Sequence, residues 1–137
     1  MVGNPKNGGV LALAGLKMAN DGTFQDITIT SFTSSYAMGS VVKGASNTVG
    51  YLTGAIEVGQ KVLDSCVKLY SEPSKCSYQR LGYVDDITAL KTSSNYYQFL
   101  TAIKSTGQMY TYNMKFPVTE ENFKTYRDVF ASYGLGS

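Results

Sequence analysis

The sequence predicts an α+β fold: an N-terminal β-hairpin, an antiparallel β-meander sheet, and one C-terminal amphipathic helix that packs across the sheet of a dimer partner. Three observations predict it. Asn20-Asp21-Gly22 lies between two β-compatible runs, and Asp-Gly in that setting is a strong hairpin signal. Gln108–Phe116 alternates strictly, with Tyr110, Tyr112, Met114 and Phe116 on one face and Met109, Thr111, Asn113 and Lys115 on the other. That is the period of a strand with one covered face. The period then changes over Glu120–Tyr133, where Phe123, Tyr126, Val129, Phe130 and Tyr133 form one apolar stripe at 3–4 spacing.

In chain order, residues 1–9 read as a Gly/Asn/Pro leader, a flexible arm. Residues 10–30 form the hairpin, with Ile27 and Ile29 on one face of its second strand and Asp26, Thr28 and Thr30 on the other. Residues 31–65 carry a near-helical stripe, but Gly39, Gly44, Gly50, Gly54 and Gly59 interrupt it. Each glycine costs about 0.5–1 kcal/mol inside a helix relative to alanine, so short strands and loops are expected there. Residues 65–116 read as the sheet, from Cys66–Glu72 and Ser77–Val84 through Ile87–Lys91 and Tyr96–Lys104 to Gln108–Phe116. Pro73 and Asp85-Asp86 mark connections. Residues 119–133 form the helix, with Thr119 as N-cap, Glu120 and Glu121 near its positive end, and Gly134 and Leu135 closing it.

Composition narrows the function. The 137 residues fit one domain with a real core. Charged residues make up only 16% and net charge is +2, too little to coat nucleic acid by charge alone. There is no histidine, so the usual general base, nucleophile activator and commonest metal ligand are missing. No phosphate-binding glycine loop occurs, and Asp85-Asp86 read as a solvated turn. Cys66 and Cys76 cannot form a structural zinc site; reduced thiols are expected, with a disulfide as the alternative. No run approaches the roughly 18 apolar residues of a membrane span, and no secretory leader is read. Neither catalysis, a cofactor nor a metal is therefore expected.

The sheet faces suggest a binding role. In the expected registers one face collects Lys68, Tyr70, Tyr78, Arg80, Thr111, Asn113 and Lys115. Cations, hydrogen-bonding side chains and stacking rings together suit single-stranded RNA, and a plain solvated face is the other reading. A sheet of five or six strands is roughly 25 Å wide, whereas one helix is about 10 Å thick. Apolar strand residues would stay bare unless a second chain covered them, so an obligate homodimer through Phe123, Tyr126, Val129, Phe130 and Tyr133 is expected. A helix within residues 31–65 of the same chain is the alternative cover.

The layout resembles the coat proteins of single-stranded RNA bacteriophages. The likeness rests on Leu13–Ile29 with its Asn-Asp-Gly turn, on VKLYSEPSKCSYQRLGYV at Val67–Val84, and on YTYNMKFPVTEENFKTYRDVF at Tyr110–Phe130. The resemblance implies a dimer that assembles into an icosahedral shell around an RNA genome in the bacterial cytoplasm, ending in the virion. It implies that Lys68, Tyr70, Tyr78 and Arg80 face RNA, with possible repression of translation. A small interaction or scaffold module of roadblock- or profilin-like type is the alternative.

Overall fold

The computed structural model describes residues 1–35 and 37–135. The chain forms two compact units, Met1–Ala37 and Met38–Ser137.

The first unit contains two small hairpins and a short helix. Strand β1 (Val2–Gly3) pairs antiparallel with β2 (Val10–Ala12), so the leader takes part in a ladder. Strand β3 (Leu16–Met18) pairs antiparallel with β4 (Phe24–Asp26), with Lys17 opposite Gln25. The turn between them follows from its residues. Gly22 takes φ +83°, and the Asp21 carboxylate accepts from the Thr23 N–H at 2.9 Å and the Thr23 hydroxyl at 2.7 Å. Helix α1 covers Thr28–Thr33, where the sequence suggests continued strand.

The second unit is built on helices. A 3₁₀ turn, Gly39–Val42, runs directly into α2 (Lys43–Thr53). Two two-residue strand pairs follow: β5 (Val62–Leu63) with β8 (Tyr83–Val84), and β6 (Cys66–Val67) with β7 (Lys75–Cys76). Then come α3 (Asp86–Lys91), α4 (Asn95–Lys104), a 3₁₀ turn at Glu121–Phe123 and α5 (Lys124–Ser132). The core consists of Val49, Ile56, Val67, Val84, Ala89, Tyr97, Leu100 and Ile103.

This is not the expected α+β meander under a partner's helix. Residues 87–91 and 96–104 are helical because side-chain caps start both helices. The Asp85 carboxylate accepts from the Thr88 N–H at 2.7 Å, and the Ser94 hydroxyl from the Tyr97 N–H at 3.0 Å. The buried positions of α4, Tyr97, Leu100, Thr101 and Ile103, recur at spacings of three and four, as one helix face requires. Residues 43–53 form α2 despite their glycines, and Gly50 shows why glycine is used. A Cβ there would lie 2.4 Å from Ile56 Cδ1 and 2.8 Å from Thr101 Cγ2, so its absence lets α2 approach α4 closely. Gln108–Phe116 forms no strand beyond an isolated bridge between Leu69 and Met114. Asn113 takes φ +60°, and the Met114 N–H turns back to the Thr111 carbonyl at 3.2 Å.

The stripe assigned to a dimer interface is partly covered within the chain. Phe123, Tyr126, Val129 and Phe130 are half-buried. Phe116, Phe123, Tyr126 and Phe130 form a ladder with successive centroids 6.1, 5.9 and 5.9 Å apart. Tyr133 stays exposed, with its hydroxyl 3.2 Å from Thr48 Oγ1 on α2. Helix α2 supplies the cover that a second chain was expected to give. Gly134, at φ +73°, ends α5, and the Leu135 N–H returns to the Phe130 carbonyl at 2.8 Å. Cys66 and Cys76 face each other in register across β6 and β7 and are joined as a disulfide, not held as the reduced thiols expected.

Candidate active site

The most concentrated polar chemistry lies where the start of α2 meets the start of α4. Ser40 is exposed in the 3₁₀ turn, and three residues later Lys43 opens α2. One helical turn separates them, so both face the same side. Lys43 is only 7% exposed, and a lysine so enclosed must be met by acceptors. Its Nζ donates to the Ser93 carbonyl at 2.7 Å, to Ser93 Oγ at 3.0 Å and to Asn95 Oδ1 at 2.7 Å. All three donors of the ammonium are used. Burial pulls the Lys43 amine below its usual range, which brings the neutral, basic form closer to physiological pH.

Ser93 links the lysine to the exposed serine. Its hydroxyl lies 3.0 Å from Ser40 Oγ, giving an unbroken path Ser40–Ser93–Lys43. With Lys43 charged, Ser93 donates toward Ser40. With Lys43 neutral, the same two contacts can run in reverse and carry the Ser40 proton to the amine. Ser93 sits at φ +57°, a left-handed conformation that costs a non-glycine residue free energy and recurs at functional sites. The tight turn between α3 and α4 imposes it, with Ser93 N–H donating to the Leu90 carbonyl and Ser94 N–H to the Ala89 carbonyl.

Beneath this corner the support is also polar. Ser94 is fully buried and donates to Asp64 Oδ2 at 2.5 Å. Ser77 donates to the same oxygen at 2.8 Å and accepts from the Asn95 N–H at 3.0 Å. Asp86, read as part of a solvated turn, is 3% exposed and accepts from the Tyr51 hydroxyl at 2.6 Å and the Gly59 N–H at 3.0 Å. That contact holds the Asp86 carboxyl below its usual range and pushes the Tyr51 phenol up to about 12. Asp86 thus fixes the loop after α2 against α3. Among the described residues, no three His, Cys, Asp or Glu side chains gather as a metal-binding set.

The residues assigned to an RNA face fall into two places, neither of them a flat sheet. Lys68, Tyr70, Thr111, Asn113 and Lys115 come together after β6. Asn113 N–H donates to the Lys68 carbonyl at 2.9 Å, Lys115 Nζ lies 5.0 Å from the Tyr70 ring centroid, and Thr111 N–H faces Met114 Sδ at 3.4 Å. Lys68 Nζ is turned to the Glu72 carbonyl. Tyr78 and Arg80 are exposed on the loop between β7 and β8. Sequence reasoning passed over Ser40, Lys43, Ser93 and Asn95 entirely. The signal for them was a Ser-x-x-Lys run at 40–43 and a Ser-Ser-Asn run at 93–95, a chemistry that needs no histidine.

An exposed serine joined through a second hydroxyl to a buried lysine is an arrangement able to support acyl transfer without a histidine. Comparison with known proteins agrees. Residues 1–137 match the Transpeptidase family, described as the penicillin binding protein transpeptidase domain. The chain is 38% identical over 137 residues to penicillin-binding protein 2A and 34% over 134 residues to penicillin-binding protein H, both of Bacillus subtilis (strain 168). Each alignment covers 97% of this chain and 19% of the relative. Penicillin-binding protein 2B of Streptococcus pneumoniae (strain 5204) superposes with a TM-score of 0.82 at 31% identity, over 98% of this chain and 23% of that one. The chain belongs to the penicillin-binding protein transpeptidase family, and it spans about a fifth of the length of the curated relatives it matches. Ser40-Val41-Val42-Lys43 and Ser93-Ser94-Asn95 correspond to the S-x-x-K and S-D-N-type elements of such proteins. The accompanying K-T-G run does not occur in these 137 residues.

Family membership overturns the phage coat-protein reading and its scaffold-module alternative. With it go the shell and virion, assembly in a host cytoplasm, the RNA partner and the obligate homodimer. The exclusion of enzymatic chemistry also falls. It rested chiefly on the missing histidine, a residue that serine–lysine chemistry does not need.

Proposed function

We propose that this chain carries the nucleophile of a transpeptidase that cross-links the peptide strands of peptidoglycan, and that penicillins acylate the same serine. The observation that supports it most is the continuous contact from Ser40 Oγ through Ser93 Oγ to the Nζ of a buried lysine. Ser40 Oγ attacks the carbonyl carbon of a donor peptide, and its proton passes to neutral Lys43, directly or through Ser93. The C–N bond of the donor breaks, and the departing amine takes a proton back from Lys43. A serine ester remains. An acceptor amine then attacks that ester, forms the new peptide bond and returns the proton to Ser40. Asn95 fixes the lysine, and the N-terminal end of α2 favours negative charge developing beside Ser40. A β-lactam enters the same first step, but its opened ring stays attached as the acyl group.

The test is covalent labelling by a fluorescent penicillin in the protein that carries this chain, with mass spectrometry of the adduct. One adduct on Ser40 is expected, with none in Ser40→Ala. Equal labelling of that variant would overturn the assignment.

A further inference from the structure

Asn95 meets Lys43 through its side-chain oxygen at 2.7 Å, and something must hold the amide in that orientation. Two other contacts do so, both from residues 76 and 77. The Asn95 Nδ2 donates to the Cys76 carbonyl at 3.1 Å. A carbonyl can only accept, so the nitrogen must point to Cys76 and the oxygen is left for the ammonium. The Asn95 backbone N–H donates to Ser77 Oγ at 3.0 Å. Ser77 in turn donates to Asp64 Oδ2 at 2.8 Å, the oxygen that also takes the hydroxyl of fully buried Ser94.

The segment bearing these two contacts has little support of its own. β6 and β7 share only two residue pairs, Cys66 with Cys76 and Val67 with Lys75. A two-stranded ladder that short does not hold itself together. The Cys66–Cys76 disulfide closes it across ten residues, and both cysteines are exposed, so the staple can be reached by a soluble thiol. On the acyl-transfer reading above, we propose that Ser77 is a positioning residue for Asn95, and that the Cys66–Cys76 disulfide holds Ser77 and the Cys76 carbonyl in place for it.

The test measures fluorescent-penicillin acylation in the protein that carries this chain, separating the first-order acylation step from the half-saturating concentration, with thermal unfolding alongside. Ser77→Ala is expected to slow the acylation step about 10- to 100-fold, as misplacement by an ångström can, with the half-saturating concentration unchanged. Ser77→Thr keeps the hydroxyl and is expected to restore most of the rate. A dithiol supplies a second route that needs no mutation. It gives two electrons and two protons to the S–S bond, leaves Cys66 and Cys76 as thiols and closes to its own disulfide, and the reduced protein is expected to acylate several-fold more slowly. Wild-type rates in Ser77→Ala, or failure of folded Ser77→Thr to recover, would overturn the role of Ser77. An unchanged rate after verified reduction would overturn the role of the staple even if the alanine variant does not fold. If the wild-type protein takes no label on Ser40, the acyl-transfer reading itself has failed; labelled wild type with an unaffected Ser77→Ala condemns only this inference.

Discussion

The corner around Lys43 and the C-terminal helix α5 are built by opposite means. Helix α5 is regular in local terms although no side chain caps its start: it has an apolar stripe at 3–4 spacing, a Lys124–Asp128 pair one turn apart at 2.6 Å, and a left-handed glycine at its end. Yet none of its residues is fully buried. The corner breaks local rules, with a lysine inside, a serine in left-handed backbone and an asparagine whose amide is used on both ends. It is nonetheless tied together by side-chain hydrogen bonds between residues distant in sequence. Clean periodicity marks a piece of scaffold, whereas chemistry is marked by residues that fold at a local cost and are satisfied only by partners distant in sequence.

The largest effect that would sharpen this contrast is expected from Lys43→Met, which keeps bulk and removes the base. Penicillin labelling of Ser40 should slow about 10²- to 10⁴-fold, the usual contribution of a general base; a rate near wild type would place the base elsewhere. On the other side, Phe130→Ala in α5 should cost roughly 1–3 kcal/mol by denaturant unfolding, less than the full loss for a wholly buried ring. Labelling of the folded variant should be unchanged, and a matching loss would show the two regions to be one functional unit.

A pH series comes next. Because burial lowers the Lys43 amine below 10.5, the acylation rate should climb with pH along a limb below that of a free lysine. Between the folded and the unfolded values the unfolded chain binds the extra proton, so Lys43 also makes stability rise with pH across that window. A limb at or above the free-lysine value would remove the basis for Lys43 as base. The smallest effect is expected from Asp128→Asn. Its pair with Lys124 is well over half exposed, and such pairs add little in water, so no measurable change in melting temperature should follow.

Parts of the fold were legible in the chain. The Asn20-Asp21-Gly22 turn makes the β3–β4 hairpin because aspartate and glycine carry their own turn geometry. The stripe of α5 and its Gly134 end were legible from spacing and glycine, but the helix opens at Lys124 after a 3₁₀ turn and not at Thr119, whose hydroxyl accepts from the Asn122 N–H at 3.2 Å instead. The failures were non-local. Tyr96–Lys104 was expected as a strand, but the Ser94 cap and the burial of Tyr97, Leu100, Thr101 and Ile103 at helical spacing made it a helix. Strict alternation in Gln108–Phe116 yielded to the left-handed turn at Asn113.

What the sequence determined by itself was short-range: caps, one hairpin turn, one amphipathic stripe, and two serine-led runs whose first residues stand 53 positions apart. Only the tertiary structure decided that Ser40, Lys43, Ser93 and Asn95 meet. Their contacts span about fifty residues of chain, and such closure is stabilised by the α2–α4 packing that Gly50 permits, not by any preference of the residues themselves.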